Sequence, residues 1–171
     1  SVVSAFPADD EAYDPYATVT DEERFAPLRT AALALFADLR AQYSVTLSGT
    51  FDPLPIMPVL DHVYPPLTLR PAHGGAALSV AFPSSVSLVL RCGWWHVESF
   101  PSCSCDGCNL TLAQEAARLV ERCFAVVAGT FQETLETAPV WNGSARLSHV
   151  FSSASGTGSS QTALPPHQAV L

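Results

Sequence analysis

Three cysteines lie within six residues, in the stretch CSCDGC that runs from Cys103 to Cys108. The thiols at 103, 105 and 108 are soft metal ligands, and His96 lies seven residues upstream of the first of them. Three cysteines and one histidine form the tetrahedral ligand set of a closed, structural zinc site. A C-x-x-C spacing is usual for half of such a site, although no second half-site follows along the chain. The candidate zinc ligands are therefore Cys103, Cys105, Cys108 and His96.

Two other interpretations of the same stretch stay open. Cys105 and Cys108 form a C-x-x-C pair before a predicted helix, whose N-terminal dipole stabilises a thiolate, so the pair suits a thiol redox enzyme or sensor. Against this, the sequence lacks a βαβ pattern, and Asp106 between the thiols opposes thiolate formation. In the simplest interpretation the thiols only pack in a tight strand-to-helix turn. We favour a structural corner, with Gly107 permitting the turn and no catalytic residue.

The charge balance argues against nucleic acid as a partner. The chain carries 8 basic and 16 acidic residues, for a formal net charge of −8. All the basic residues are arginines, and they are scattered, whereas phosphate binding needs clustered positive charge. The lack of lysine also excludes a Schiff-base lysine and the phosphate-binding lysine of P-loop and kinase sites.

The cysteine count and the hydropathy indicate a cytoplasmic protein with reduced thiols. Five cysteines cannot all pair, and a chain of 171 residues is long enough to fold without a disulfide framework. No apolar run approaches the roughly 20 residues that a membrane span requires, so no membrane partner is expected. The chain begins at Ser1 without the basic, apolar leader that indicates secretion.

Two amphipathic helices are predicted on either side of β-type sequence. Apolar residues recur at steps of three and four over residues 25–43, and Pro27 suits the first position of a helix. A second stripe covers residues 112–135 and follows Thr111 and Gln114, which have the spacing of a capping box. Between the helices, short turn signals separate the runs PLTLRP, AALSVAF and SVSLVLRC, and SVTLS is a fourth strand candidate. This pattern predicts an antiparallel meander.

The predicted fold class is α+β, a small antiparallel sheet of three to four strands flanked by the two helices on one face. Residues 1–19 are acidic and rich in proline and tyrosine, and are expected to form an extended lead-in. Residues 20–138 form the single domain. Residues 139–171 are rich in serine, glycine and proline, a composition that does not pack a core, so a disordered tail is expected there.

Three stretches resemble a family of short actinobacterial proteins, of the Streptomyces type, whose function is unknown. They are ERFAPL (23–28), the C-x-C-D-x-C motif (103–108) and FAVVAGTFQE (124–133). The resemblance spans residues 7–137 and implies an actinomycete origin but no activity. Relatives usually carry an acidic residue after the third cysteine, where this chain has Asn109.

The sequence thus favours a non-enzymatic, soluble interaction domain that acts through contacts with a protein partner, with the thiols either binding a structural zinc ion or packing without one. The alternative is a thiol redox enzyme or sensor that uses Cys105 and Cys108. A third option, binding of a small molecule near Trp94 and Trp95, has no site that the sequence defines.

Overall fold

A computed structural model describes residues 13–51, 61–137, 145–153 and 156–164. These residues form two α-helices, two short 3-10 helices and eight strands. The helices are α1 (Pro27–Gln42) and α2 (Leu112–Val127), and the 3-10 helices are Glu22–Phe25 and Asp106–Cys108. The strands are β1 (Val45–Ser48), β2 (Tyr64–Pro71), β3 (Leu78–Phe82), β4 (Leu88–Cys92), β5 (His96–Phe100), β6 (Phe131–Thr137), β7 (Ala145–Ser153) and β8 (Gly156–Leu164).

The main sheet has five antiparallel strands in the order β1-β2-β3-β4-β5. The prediction of a sheet with three to four strands is therefore wrong. The missed strand is β5, which pairs with β4 in a register that places Leu88 opposite Phe100 and Cys92 opposite His96. Its sequence, HVESF, holds a histidine and a glutamate at positions that a sheet covered on one face usually fills with apolar side chains.

A second antiparallel sheet, in the order β6-β7-β8, was not predicted. Strands β7 and β8 lie inside the segment 139–171, for which the composition predicted a disordered tail. Backbone pairing needs no particular side chain, so a serine- and glycine-rich strand such as β8 carries almost no periodic signal. Leu147 and Phe151 are nevertheless buried, and Phe151 joins the core.

Helix α1 begins at Pro27, as predicted, but α2 is shorter than its apolar stripe suggested. The helix ends at Val127, and Gly129 has a φ of +73°, in the left-handed region that favours glycine. The N–H of Gly129 donates to the carbonyl of Val126, and the N–H of Thr130 donates to the carbonyl of Ala125. This pair of bonds is the Schellman motif, which ends a helix, so residues 131–137 continue as β6.

Both helices pack on the same face of the main sheet. Alternate residues of the central strands, such as Val80 of β3 and Leu90 of β4, share one apolar cluster with Phe36 of α1 and Leu119 of α2. Among the described residues, no helix is both long and apolar enough to cross a membrane.

Candidate metal centre

The cysteine loop (Cys103–Cys108) connects β5 to α2 and brings its three thiols together. Cys105 has extended backbone, the next three residues form a 3-10 turn, and Asn109 adopts a left-handed φ of 48°. Thr111 then caps α2 in the predicted capping box, because its side chain accepts from the N–H of Gln114 while the Gln114 side chain accepts from the N–H of Thr111. The chain therefore turns tightly between a strand and a helix, and all three thiols belong to this turn.

The three Sγ atoms lie within 4.8 Å of one another. The Sγ atoms of Cys103 and Cys105 are 3.0 Å apart, and the N–H of Cys105 donates to Cys103 Sγ at 3.4 Å. A tetrahedral zinc ion with Zn–S bonds of about 2.3 Å places its sulfurs about 3.8 Å apart. The 3.0 Å between Cys103 and Cys105 is shorter than that spacing, and the 4.8 Å limit on all three sulfurs includes it. Cys105 is buried and Cys108 is exposed, so the cluster opens to solvent on one side.

His96, the fourth ligand proposed from the sequence, lies elsewhere. It begins β5, its Nε2 is 2.7 Å from Glu98 Oε1, and its ring centroid is 3.9 Å from that of His149. Within the described residues, the convergent ligand atoms are those of the three cysteines alone. The cluster therefore supplies three thiol ligands and leaves one tetrahedral position open.

The cysteine loop also holds the segment that precedes α1. The carboxylate of Asp106 accepts hydrogen bonds from the hydroxyl of Tyr13 at 2.9 Å and from the N–H of Thr20 at 3.0 Å. Both hydrogen bonds lower the pKa of Asp106, and the bond from Thr20 has the larger effect. Asp106 was expected to oppose thiolate formation. In the structure its carboxylate forms hydrogen bonds with Tyr13 and Thr20.

Backbone contacts complete this attachment. The N–H of Asp106 donates to the carbonyl of Thr18 at 2.9 Å, and the N–H of Gly107 donates to the carbonyl of Pro15 at 2.7 Å. A β-carbon at Gly107 would lie 2.6 Å from Cδ1 of Tyr16, a distance that real side chains do not reach. A side chain at position 107 would therefore have to displace the exposed ring of Tyr16.

The thiols of the cysteine loop differ in acidity. Hydrogen bonds with the thiol and the N–H of Cys105 lower the pKa of Cys103, and the charge of Arg24 adds to this effect. Hydrogen bonds with Cys105 and Cys103 raise the pKa of Cys108 to about 12. Cys103 is therefore more acidic than Cys108, and the redox interpretation had not used it. The other two cysteines, Cys92 and Cys123, are buried in the core as predicted, where burial raises the pKa of each thiol.

A polar cavity lies where α2, β5 and the second sheet meet, and we call it the junction cavity. Its volume is about 530 Å³. The charged or titratable residues that line it are His96, Glu98, Arg118, Arg122, Glu133 and His149. This group was not predicted from the sequence, where His96 alone was singled out and as a zinc ligand, because β5 and β7 had not been recognised as strands. The spacing H-x-E places His96 and Glu98 on one face of β5, and the spacing R-x-x-x-R places Arg118 and Arg122 on one face of α2. These two spacings are the sequence patterns from which the group could have been predicted.

Glu98 accepts hydrogen bonds from three of the charged or titratable side chains of this cavity. Its carboxylate accepts from His96 Nε2 and Arg122 Nε at 2.7 Å each, and from Arg118 Nη1 at 3.1 Å. Burial alone would raise the pKa of Glu98, but the hydrogen bond from His96 and the charge of Arg122 bring it down to about 2. Burial and the nearby His96 lower the pKa of His149 to about 4, so that ring is neutral near pH 7.

Comparison with known proteins identifies a family and no activity. The chain matches a family described as "Family of unknown function (DUF6226)" over residues 4–170. No curated protein and no solved structure matches the chain. The match confirms the resemblance to a family of unknown function, and it extends past the predicted boundary at residue 138. The actinobacterial origin and the cytoplasmic location stay predictions.

Proposed function

Because the chain belongs to the DUF6226 family, whose function is unknown, we propose a role from the geometry of the cysteine loop. The loop binds one soft divalent cation, zinc by preference, through Cys103, Cys105 and Cys108. The bound ion is structural in this proposal, since it fixes residues 13–20 and the start of α2 on the main sheet. The domain then works by binding a partner and not by thiol chemistry.

The observation that carries this proposal is the convergence of three thiols within 4.8 Å of one another in one loop. Sulfur ligands select zinc and other soft ions over magnesium or calcium. The three thiols lose their protons when they bind a metal as thiolates. Because the pKa of Cys108 is high, metal binding becomes weaker as the pH falls. Asp106 and Gly107 form hydrogen bonds with residues 15–20. A metal ion that fixes the cysteine loop would therefore also stabilise the position of those residues.

Elemental analysis of the purified protein tests the metal. We expect about one zinc ion per chain, as tetrahedral structural sites hold, and a loss of both zinc and thermal stability when Cys103, Cys105 and Cys108 are replaced by serine. Cys123→Ala is the matched control, since it removes a buried thiol outside the loop and should keep the zinc.

Protein that contains no zinc and takes up none on addition of zinc chloride under reducing conditions would contradict the metal. A triple variant that retains wild-type zinc would contradict the choice of ligands.

A second candidate function, a thiol redox pair, is supported by the 3.0 Å separation of the Cys103 and Cys105 sulfurs. In this reaction the two thiols pass two electrons and two protons to an acceptor disulfide, which is reduced to two thiols while the Cys103–Cys105 disulfide forms. The pair differs from the Cys105–Cys108 pair suggested by the C-x-x-C spacing. A glutathione redox titration followed by intact mass tests it. Loss of two hydrogens from the wild type but not from Cys103→Ser would favour redox chemistry over metal binding.

The proposed partner is a protein, and a rigidly presented tryptophan supports this. Trp94 is 75% exposed. The N–H groups of Trp94, Trp95 and His96 all donate to the carboxylate of Glu133, at 2.8 Å each, which holds the turn in one conformation. Exposed tryptophans on rigid turns are frequent anchors of protein interfaces. A photo-crosslinking residue at position 94 should give a discrete protein adduct in cells, and none at the exposed control position Arg40. The absence of any adduct at 94 would contradict a protein partner at this turn.

A further inference from the structure

The junction cavity has the size and the walls of a small-molecule site. Its volume of about 530 Å³ falls within the ~300–1,000 Å³ typical of such pockets. Trp95, in the turn before β5, together with Leu147 and Phe151 of β7, supplies apolar surface to its lining. Polar side chains of β5, α2 and the strands of the second sheet line the rest.

The carboxylates of the cavity are already saturated with hydrogen-bond donors. Glu98 accepts three hydrogen bonds, from His96, Arg122 and Arg118. Glu133 accepts three more, from the backbone N–H groups of residues 94–96. An ionised carboxylate only accepts hydrogen bonds, so neither group is a strong acceptor for a further ligand once these donors are in place.

The donors of the cavity, in contrast, are in surplus. A guanidinium carries five N–H groups, and Arg122 uses one of them, at Nε, to hold Glu98. Among the hydrogen bonds of the described residues, none involves Nη1 or Nη2 of Arg122. The Arg122 guanidinium also lies over the ring of Phe151, with its central carbon 4.5 Å from the ring centroid. Two fixed contacts therefore orient this guanidinium before any ligand arrives.

The formal charges of the cavity lining balance, so a monoanion adds one negative charge where a dianion adds two. Two arginines offset Glu98 and Glu133, and the ring of His149 faces the same space without a hydrogen bond to any described residue. A dianion such as phosphate would meet the two fixed carboxylates and the chain's net charge of −8. A planar carboxylate with an apolar body matches both the guanidinium fork and the apolar wall.

We propose that the junction cavity is a binding site for a small organic carboxylate, whose oxygens accept from the terminal amino groups of Arg122 and whose apolar body packs against Trp95 and Leu147. The site shares no residue with the cysteine loop, so the proposal does not depend on metal binding.

Benzoate and benzamide, titrated separately into the full-length protein, provide the test. The two probes share an aromatic ring and a planar head group, and only benzoate is charged. We follow the ring signals of His149 and Phe151 by nuclear magnetic resonance. Saturable shifts are expected with benzoate, with an affinity at least about tenfold higher than that of benzamide. This comparison needs no variant, so it stands even if substitutions in the cavity impair folding.

Variants test whether the guanidinium of Arg122 is the group that binds the carboxylate. Arg122→Lys keeps the positive charge but removes the paired donors, so benzoate affinity should fall about tenfold or more. Arg40→Lys, at an exposed position at the end of α1, is the matched control and should bind benzoate as the wild type does.

Three results would overturn the proposal. The first is no saturable shift with benzoate, and the second is equal affinity for benzoate and benzamide. The third is inorganic phosphate binding in preference to benzoate, which would assign the cavity to a different class of anion.

Discussion

Single residues of the junction cavity control how the protein responds to pH. The pKa of His149 falls from 6.5 to about 4 on folding, because burial disfavours the charged ring. Between these two values the unfolded chain binds a proton that the native state does not. The free energy of unfolding therefore decreases as the pH falls from 6.5 to about 4. Glu98, with its pKa lowered from 4.5 to about 2, adds a separate loss of stability between those values.

We expect His149→Gln to flatten the upper part of this pH dependence while leaving the part due to Glu98. Urea unfolding across the two pH ranges measures both. His73→Gln, on an exposed turn, is the control and should keep the wild-type slope. An unchanged slope in the upper range for His149→Gln would show that the ring is not neutral in the native state.

At the scale of residues, the sequence predicted the convergence of the three thiols but not the position of His96 beside Glu98. The three thiols are close in sequence and a tight turn keeps them close in space, so their convergence could be predicted. His96 lies on β5, where residues two apart share a face, and this face directs it to Glu98. The seven-residue separation between His96 and Cys103 does not show which way the His96 side chain points. That follows only from the strand, which was not predicted.

At the scale of elements, the end of α2 depends on one glycine. A β-carbon at Gly129 would meet no atom within 4 Å, so the cost of a side chain there is conformational alone. We expect Gly129→Ala to lower the free energy of unfolding by about 1 kcal/mol, because alanine disfavours a φ of +73°. Chemical denaturation measures the change.

Gly158→Ala is the matched control for this substitution. Its β-carbon also meets nothing, but Gly158 does not have a left-handed φ, so an effect within about 0.5 kcal/mol is expected. Equal effects at the two glycines would contradict a role for the Schellman motif.

Helix periodicity could predict α1 and the start of α2, since both carry apolar residues at steps of three and four. It failed at the end of α2, where the apolar residues of β6 happened to continue the helical stripe. Leu135 fits that stripe, but in the structure it lies on β6 and is partly exposed. A local glycine conformation decided between helix and strand, and periodicity does not detect that.

At the scale of the whole molecule, Phe151 joins the second sheet to the core. It is 4% exposed and packs against the ring of Phe131 at a centroid distance of 4.7 Å. We expect Phe151→Ala to lower the free energy of unfolding by about 3–5 kcal/mol through the cavity it leaves. Phe124→Ala is the control, because Phe124 is 44% exposed on α2 and should change stability by only about 0.5 kcal/mol.

Urea denaturation of both variants measures the difference. Equal midpoints for Phe151→Ala and the wild type would mean that the second sheet does not contribute to the stability of the fold, and would favour the predicted boundary at residue 138. The composition of residues 139–171 could not indicate this sheet, because a few buried apolar side chains among many small polar ones anchor it.

The bonds between the cysteine loop and the segment before α1 have a consequence for the order of assembly during protein synthesis. Tyr13 and Asp106 are 93 residues apart in the chain. At translation rates of about 5–20 residues per second, residue 13 waits about 5–20 s for its partner to be made. During that interval the hydroxyl of Tyr13 and the N–H of Thr20 lack the Asp106 carboxylate that accepts from them in the folded protein. Residues 13–20 therefore dock only after the cysteine loop has been synthesised, and a ribosome paused before the codon for Asp106 would carry them undocked.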